Sequence, residues 1–476
     1  MREYEPRYKT VEEFNEAYNF AQKAGFTLAP MQVEDIESCV MWRACLNTSE
    51  VGCGKTVEAT AVSLMRGVDC SIVMLPPILI MPWVRWLKKL GEDAIAYQGT
   101  PAERKQLSMD HRWLVMSYAI FRIDYRRIME SVESKRFELV VDEAQNIKNI
   151  QSKLYKLIKV AFESAPEDAF LQMLTGTPLS KPLDAYAYIS LKTPKLYYSN
   201  LHFENMHVLK RDMWEVPIAY QNLDVMKSNL AINSVSRTKK EMHGYDLQPI
   251  FPDCTYELDP AHMKLYRKMV DEQLLIFEDG TKIDLTTPQK LQHALQQVVA
   301  NWGAFARDPT KIAAIYELLD QSLEETQCAT RGNSKLIIWT KYKLTSAAML
   351  KYCNDLGIRT VAAYGDANSG KSVDLFMEDE STRILVAQYQ SAGAGLNPQH
   401  VCSEALHVEF DTVPMYMRQS FGRIDRMGQT VRPRMKIAMA AGTVQVHMMK
   451  QLLAKDDLIA RVEPTKEGLR KMLLGL

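Results

Sequence analysis

Short runs rich in Val, Ile and Leu recur along the chain, separated by stretches with helical patterning. In the first half they are "SIVMLP" (71–76), "WLVMSY" (113–118), "FELVVDEA" (137–144) and "LQMLTGTP" (171–178). The second half repeats the pattern with "KLIIWT" (335–340), "TVAAYGD" (360–366), "RILVAQY" (383–389) and "ALHVEFD" (405–411). Continuous apolar runs that alternate with helices are typical of buried strands in a parallel sheet. The sequence therefore predicts an α/β fold made of βαβ units.

The region between the two halves has a different texture. At about 255–330 it contains long helical patterns such as "TPQKLQHALQQVVANWGAF". A chain of 476 residues is long enough for two or three domains of ordinary size. We predict two parallel-sheet domains, residues 1–245 and 246–476, with a helical insertion near the start of the second.

Composition restricts the class of protein only loosely. Lys plus Arg equals Asp plus Glu at 58 each, so a nucleic-acid site would have to come from local clustering of charge. The eight cysteines form no CxxC pair, which argues against a zinc module and a disulfide scaffold. The N-terminus is too polar for a signal peptide, and three prolines interrupt the most apolar run. We expect a cytoplasmic, nucleoid-associated protein (in the host cytoplasm if phage-encoded) that is monomeric and makes no membrane contact.

The stretch "NTSEVGCGKTVEAT" (47–60) has the pattern of a phosphate-binding loop. Gly52 and Gly54 let backbone N–H groups approach phosphate oxygens, Lys55 can reach the β- and γ-phosphates, and the Thr56 hydroxyl can bind Mg²⁺. Ser49 stands where the common pattern has its first glycine. On these residues alone, a glycine-rich helix start remains the alternative.

An acid pair supplies the second half of a nucleotide site. "ELVVDEAQNIKN" places Asp142 and Glu143 at the end of an apolar strand, where parallel sheets present side chains to a ligand crevice. Asp142 can hold Mg²⁺ and Glu143 can polarise the attacking water. Two exposed acids in a turn are the alternative, which the upstream Gly-Lys-Thr makes less attractive.

In this order, "SEVGCGKT", "VVDEAQNIKN" and "LTGTPL" resemble motifs one, two and three of superfamily-two helicases. Within that superfamily they are similar to the Swi/Snf-related, chromatin-remodeller-type ATPases. That family has no glycine at the position of Ser49. "LAPMQ" resembles its upstream adenine-binding motif, which implies that Gln32 contacts the base. The resemblance assigns the remaining nucleotide contacts to the loop residues Glu50, Val51, Gly52, Cys53, Gly54, Lys55 and Thr56.

The resemblance continues over about 430 residues and implies two RecA-like domains. "RTKKEM" (237–242) resembles the family's Arg-Thr-Lys bridge, "KLIIWTKY" motif four, "QSAGAGLN" motif five and "RQSFGRIDRMGQ" motif six. Two positions depart from the family pattern: Asp425 replaces the usual His of motif six, and Gln445 replaces an acid in the closing helix.

Motif six implies the charge that ATP hydrolysis requires from the second domain. Arg423 and Arg426 match the family's arginine fingers, and Gln419 would support them. An arginine finger accelerates phosphoryl transfer by about 10³- to 10⁵-fold. Without the resemblance, an exposed basic helix face would be the simpler interpretation. Motif three, Thr175, Gly176 and Thr177, is the implied relay between the nucleotide and nucleic-acid faces.

The resemblance also implies nucleic-acid contacts that grip phosphates without reading bases. They fall on Pro76, Trp83, Ser117, Tyr118, Lys341, Ser391, Gly393 and Asn397. For Trp83 and Trp86, packing in the core or at an interface is an alternative to base stacking.

These observations indicate an ATP- and Mg²⁺-dependent motor that moves along nucleic acid, with double-stranded or branched DNA as the expected track. The compact size and the DEAQ box are similar to stand-alone bacterial or phage members, with replication, repair or transcription proteins as possible partners. Two alternatives use the same motifs: a strand-separating helicase on DNA or RNA, and the motor subunit of a restriction or defence system. A third, of another class, is an ATP-gated DNA clamp without sustained turnover.

Overall fold

The chain divides into two compact units in the computed structural model. The structure describes residues 5–244, 247–276, 282–285, 287–328, 335–364, 369–389 and 396–463, with residues 469 and 473. The first unit comprises Met1–Asp246 and Asp457–Gly468, and the second Leu247–Asp456 and Leu469–Leu476. The division expected from sequence, 1–245 and 246–476, differs mainly in the placement of residues 457–468.

A seven-stranded parallel sheet forms the centre of the first unit. Its strands are β1 (Ala44–Asn47), β2 (Cys70–Leu75), β3 (Ala94–Ala96), β4 (Trp113–Ser117), β5 (Phe137–Asp142), β6 (Phe170–Leu174) and β9 (Ser234–Val235). Their order is β3-β4-β2-β5-β6-β1-β9. A separate antiparallel hairpin contains β7 (Val208–Arg211) and β8 (Pro217–Tyr220).

Helices cover both faces of this sheet. They are α1 (Val11–Tyr18), α2 (Phe20–Ala24), α3 (Pro30–Met41), α4 (Lys55–Arg66), α5 (Ile80–Lys89), α6 (Pro101–Gln106), α7 (Tyr118–Val132), α8 (Lys153–Glu163), α9 (Ala185–Lys192), α10 (Asn200–His207), α11 (Leu223–Ala231) and α12 (Lys239–His243). Successive residues of β2 pack in hydrophobic cores on opposite faces of the sheet. Ile72 packs with α7 to α9, and Val73 packs with α3 to α5. The strands are mainly apolar because both faces are buried.

The second unit has a five-stranded parallel sheet in the order β14-β15-β13-β16-β17. These strands are β13 (Lys335–Thr340), β14 (Thr360–Ala363), β15 (Ile384–Gln388), β16 (Cys402–His407) and β17 (Arg434–Ile437). Two short pairs complete the strands: β10 (Thr255–Tyr256) with β18 (Met439–Ala440), and β11 (Leu274–Ile276) with β12 (Lys282–Asp284).

The helices of the second unit include the expected insertion. They are α13 (Pro260–Glu272), α14 (Pro288–Ala300), α15 (Trp302–Ala306), α16 (Ile315–Cys328), α17 (Lys343–Asp355), α18 (Ser369–Glu378), α19 (Pro414–Ile424) and α20 (Val444–Ala460). The insertion is α13 to α16, interrupted by the β11–β12 hairpin.

Two parallel-sheet α/β domains with helical insertions are thus confirmed. In such sheets the carboxyl ends of the strands lie at one edge, where ligands bind. In the described part of the chain, no helix combines the length and apolar character needed to cross a membrane.

Candidate nucleotide-binding site

The phosphate loop connects the end of β1 to the start of α4. Gly52 and Gly54 adopt left-handed φ angles of 95° and 85°. At Gly54 the left-handed φ favours glycine, and a Cβ there would lie 2.6 Å from Nε2 of Gln32. Gln32 Nε2 donates to the Cys53 carbonyl at 3.3 Å. The implied adenine residue therefore lies directly against the loop.

The Lys55 side chain lies inside the phosphate loop and binds loop carbonyls. Its Nζ donates to the carbonyls of Ser49 at 2.7 Å and Glu50 at 2.8 Å. Burial lowers the pKa of Lys55, and the charges of Glu143 and Asp142 oppose that effect. The ammonium group is thus held among carbonyl oxygens near both acids, the place where a phosphate chain would need a positive charge.

Motif three packs against the same loop. A Cβ at Gly176 would lie 2.9 Å from Cγ2 of Val51 and 3.6 Å from Nζ of Lys55. β6, which precedes motif three, pairs with both β1 and β5. Motifs one, two and three therefore meet at one edge of the sheet, as the sequence predicted for the first two.

Both oxygens of the Asp142 carboxylate are oriented by donors. Oδ1 accepts the Glu143 amide at 2.9 Å, and Oδ2 accepts the Trp83 indole Nε1 at 2.7 Å. Burial, together with the charge of the neighbouring Glu143, raises the pKa of Asp142 to about 6. The Tyr118 hydroxyl donates to the Asp142 carbonyl and, at 3.2 Å, to the Glu143 carbonyl.

Glu143 has an unusual backbone conformation for its residue type. Its φ of 58° and ψ of 52° place it in the left-handed region, which costs a residue with a Cβ of order 1 kcal/mol. The conformation turns the chain directly after the strand. Such outliers persist where surrounding contacts over-determine them, and they cluster at functional sites.

A chain of hydrogen bonds links Glu143 to motif three. Gln145 Nε2 donates to Glu143 Oε2 at 2.8 Å, and Gln145 Oε1 accepts the Thr175 hydroxyl at 2.6 Å. Thr175 Oγ1 in turn accepts the Thr177 amide at 3.0 Å. Gln145 of the DEAQ box, which had no role predicted from sequence, is therefore one physical link between motifs two and three.

Asn47 and Glu58 tie together the two ends of the phosphate loop. Asn47 Oδ1 accepts the Ser49 amide at 3.0 Å, and Asn47 Nδ2 donates to Glu58 Oε2 at 2.5 Å. Burial, with the charge of Asp35, raises the pKa of Glu58 to about 7. Sequence reasoning missed both residues, because their side chains act beneath the loop.

The predicted Arg-Thr-Lys bridge is anchored to this loop. The Arg237 guanidinium is bidentate to Asp35, through Nη2 at 2.7 Å and Nε at 3.0 Å. Its carbonyl accepts the Glu50 amide at 2.9 Å, and its amide donates to Ser49 Oγ at 3.1 Å. The Glu50 carboxylate accepts the Lys239 amide at 2.9 Å. Ser49 is therefore a useful residue here, since its hydroxyl accepts a bond that glycine could not.

Two side chains at this edge have the chemistry of magnesium ligands. Mg²⁺ prefers hard oxygen donors and is usually bound by one or two carboxylates together with substrate phosphates. Asp142 supplies a carboxylate, and in the described part of the chain the Thr56 hydroxyl makes no hydrogen bond. The described residues contain no cluster of three or more His, Cys, Asp or Glu suited to a metal. The residues present thus fit a metal shared with a bound nucleotide.

Motif six lies on α19 and the turn after it. Arg423 is buried and donates to the Leu396 carbonyl at 3.3 Å. Arg426 is half-buried and donates to Oδ1 of Asn397. Gln419 and Asp425 are buried. The two candidate arginines therefore differ, since Arg423 is packed within the second unit and Arg426 lies nearer the surface.

The predicted nucleic-acid contacts in the first unit have mixed environments. Pro76 is half-buried directly after β2, and Ser117 is buried at the start of α7, where its Oγ accepts the Ile120 amide at 3.3 Å. Tyr118 is half-buried behind the acid pair. Trp83 is only 3% exposed, which argues against the contact predicted for its side chain. Its indole N–H is instead bonded to the Asp142 carboxylate.

In the second unit, two of the predicted contacts are exposed or half-buried. Lys341 pairs with Asp411, Nζ to Oδ2 at 3.4 Å, and Asn397 is exposed beside Arg426. Ser391 and Gly393 lie outside the described residues.

A family comparison adds to this geometry. The family model described as SNF2-related domain matches residues 21–302, so the chain belongs to the SNF2-related family. The resemblance drawn from the sequence is confirmed. Together with the parallel sheets and the loop and acid pair, the match defines a nucleic-acid-dependent, ATP-driven motor.

Similar curated proteins differ in how much of their length the chain covers. It is 24% identical over 472 residues to the uncharacterized ATP-dependent helicase YqhH of Bacillus subtilis, covering 92% of this chain and 80% of that one. To the human DNA annealing helicase and endonuclease ZRANB3 it is 22% identical, covering 86% of this chain but 38% of the relative. The chain thus spans well under half of the longer protein.

Among solved structures, the Sulfolobus solfataricus SWI2/SNF2 ATPase core domain is similar at 20% identity, with 94% of each chain covered and a TM-score of 0.39. A likeness at this level supports no inference about the activity of this chain.

Proposed function

We propose that the chain hydrolyses ATP with Mg²⁺ and uses the energy to translocate on DNA, with duplex or branched DNA as its track. One observation carries the proposal: the phosphate loop, the Asp142–Glu143 turn and motif three converge at one sheet edge, with Lys55 among them.

In the nucleotide site, each residue has a separate role. Gln32 recognises adenine, and the amides of the loop from Glu50 to Gly54 hold phosphate oxygens. Lys55 exchanges its bonds to loop carbonyls for the β- and γ-phosphates, since its amine already lies inside the loop. Thr56 and Asp142 would hold Mg²⁺, which would supply charge neutralisation at the transferring phosphoryl group.

Glu143 orients the attacking water and accepts its proton. Gln145 steadies the Glu143 carboxylate through one bond and relays its position to Thr175 through another. The Arg423 and Arg426 guanidinium groups would stabilise the charge that develops on the γ-phosphate, with Gln419 as support.

The nature of the track rests on the family and on the names of relatives. ZRANB3 is described as a DNA annealing helicase, and YqhH as an ATP-dependent helicase. Phosphate contacts without base contacts suit a motor that must move over any sequence. Remaining candidates for such contacts are Pro76, Ser117, Tyr118, Lys341, Ser391, Gly393 and Asn397.

The experiment is the ATPase rate of the full chain with duplex DNA, forked DNA, single-stranded DNA and RNA. All four are compared at one salt concentration, because affinity for nucleic acid falls steeply with salt. We expect duplex or forked DNA to stimulate most. Displacement of a triplex strand without unwinding of a fork would identify a translocase. Unwinding of the fork would identify a strand-separating helicase. Nucleotide and DNA binding without turnover on any substrate would instead identify a clamp and refute the motor.

A further inference from the structure

Helix α5 contacts the nucleotide site through two tryptophans. The helix follows β2, after the turn that contains Pro76, and β2 pairs with β5. The start of α5 and the end of β5 therefore lie at the same edge of the sheet. The two tryptophans of α5, Trp83 and Trp86, are about one helical turn apart.

The first contact is direct. The Trp83 indole N–H donates to Asp142 Oδ2 at 2.7 Å, while the Glu143 amide occupies Oδ1. Trp83 is 3% exposed, so water does not compete for its N–H. Each carboxylate oxygen has two lone pairs, and one donor on each leaves the other available to a cation. The indole thus fixes the plane of the carboxylate without blocking metal binding.

The second contact runs through a hydroxyl. Trp86 Nε1 donates to Thr60 Oγ1 at 3.1 Å, and the Thr60 hydroxyl donates to the Thr56 carbonyl at 2.7 Å. Thr60 is fully buried in α4, one turn after Thr56. Helix α5 thus contacts the Asp142 carboxylate through Trp83. Through Trp86 and Thr60 it also contacts the backbone carbonyl of Thr56, the residue that carries the second predicted ligand.

We propose that Trp83 and Trp86 are positioning residues on α5 that hold the two residues predicted to bind the metal, Asp142 and Thr56. The proposal rests on the proposed function. Outer partners that orient metal ligands affect metal affinity about 10- to 100-fold when removed. Neither tryptophan touches the nucleotide in this role, so ATP binding without metal does not depend on their N–H groups.

The test uses Trp83→Phe and Trp86→Phe in the full chain, each of which keeps a ring but removes the donor. The matched control is Trp113→Phe. Trp113 is fully buried and donates its indole N–H to Glu92 at 2.9 Å, at the start of β4 and thus the opposite edge of the sheet. Binding of a fluorescent ATP analogue is followed by titration with Mg²⁺, and again in EDTA.

We expect the Mg²⁺ concentration for half-saturation to rise about tenfold in Trp83→Phe and less in Trp86→Phe, whose link is indirect. Binding in EDTA should match wild type, and Trp113→Phe should leave both unchanged. An unchanged half-saturation in Trp83→Phe, or an equal rise in Trp113→Phe, overturns the proposal.

If Trp83→Phe does not fold, Trp86→Phe and Thr60→Val decide the question, since both break the second link; unchanged half-saturation in both overturns the proposal. A wild-type chain that binds no ATP analogue would refute the proposed function itself. That outcome differs from one in which the chain binds ATP but the tryptophan substitutions leave its Mg²⁺ dependence unchanged. Only the positioning role of the tryptophans would then be refuted.

Discussion

At the scale of single residues, substitutions in the phosphate loop and in the acid pair should affect ATP binding and ATP hydrolysis differently. Glu143→Gln removes the proposed proton acceptor but keeps the size of the side chain. We expect the ATPase rate to fall about 10²- to 10⁴-fold while affinities for ATP and DNA stay near wild type. Lys55→Ala should weaken ATP binding as well, because the loop loses its positive charge. Full turnover by Glu143→Gln would contradict the water-orienting role.

Glu58 predicts a pH dependence of stability. Its folded pKa of about 7 lies above the ordinary value of 4.5, so the folded chain binds this proton more tightly than the unfolded chain. Its contribution to stability is fully present below pH 4.5 and is lost as the pH rises toward 7. Glu58→Gln should flatten the change in melting temperature between pH 5 and 7, measured by thermal unfolding. A slope unchanged from wild type would contradict this assignment.

At the scale of elements, Gln145 connects the turn after β5 to the turn after β6. Gln145→Leu removes both of its bonds, to Glu143 and to Thr175. Coupling between sites is typically worth about 5- to 150-fold, so stimulation of the ATPase by nucleic acid should fall about tenfold. Affinity for ATP should not change. Gln151→Leu, an exposed glutamine nearby, is the control; equal losses in both variants would exclude a relay.

The bridge after β9 joins α3 to the phosphate loop. Arg237→Ala would leave Asp35, only 3% exposed, with a buried charge and no guanidinium partner. We expect a loss of about 2–4 kcal/mol in the free energy of unfolding of the first unit, discounted because Arg237 is partly exposed. Weaker ATP binding should accompany it. In Arg237→Ala with Asp35→Asn, the losses should be less than additive, measured by denaturant unfolding.

The elements themselves follow from local sequence far better than the contacts between them. "KLIIWT" coincides with β13, Lys335–Thr340, because a strand buried on both faces has a continuous apolar run, here Leu336 to Trp339. The edge strands β3 and β9 have three and two residues, too few for a pattern. Motif spacing predicts that Asp142 and Lys55 belong to the candidate site. It could not reveal that Trp83 bonds Asp142, since indole and carboxylate are 59 residues apart and any apolar helix could bury a tryptophan.

At the scale of the whole molecule, the motif resemblance divides the catalytic groups between two units that each have their own sheet and core. In the proposed function, the residues assigned to adenine, phosphate and metal all belong to the first unit, so we expect that unit to bind nucleotide by itself. The proposed hydrolysis also needs the arginines of the second unit. Binding and turnover should therefore respond differently to changes in the second unit, as expected for a motor driven by domain closure.

Arg426→Ala tests this division. Of the two candidate arginines, Arg426 is the less buried, so its loss should disturb the packing of the second unit less than loss of the buried Arg423. We expect ATP binding within a few-fold of wild type and an ATPase rate lower by about 10³-fold or more. Arg432→Ala is the matched control, because Arg432 is exposed and bonds the Gln248 carbonyl in the same unit. Equal ATPase rates in the two variants would show that Arg426 does not act on the γ-phosphate, and Arg423 would then be the remaining candidate.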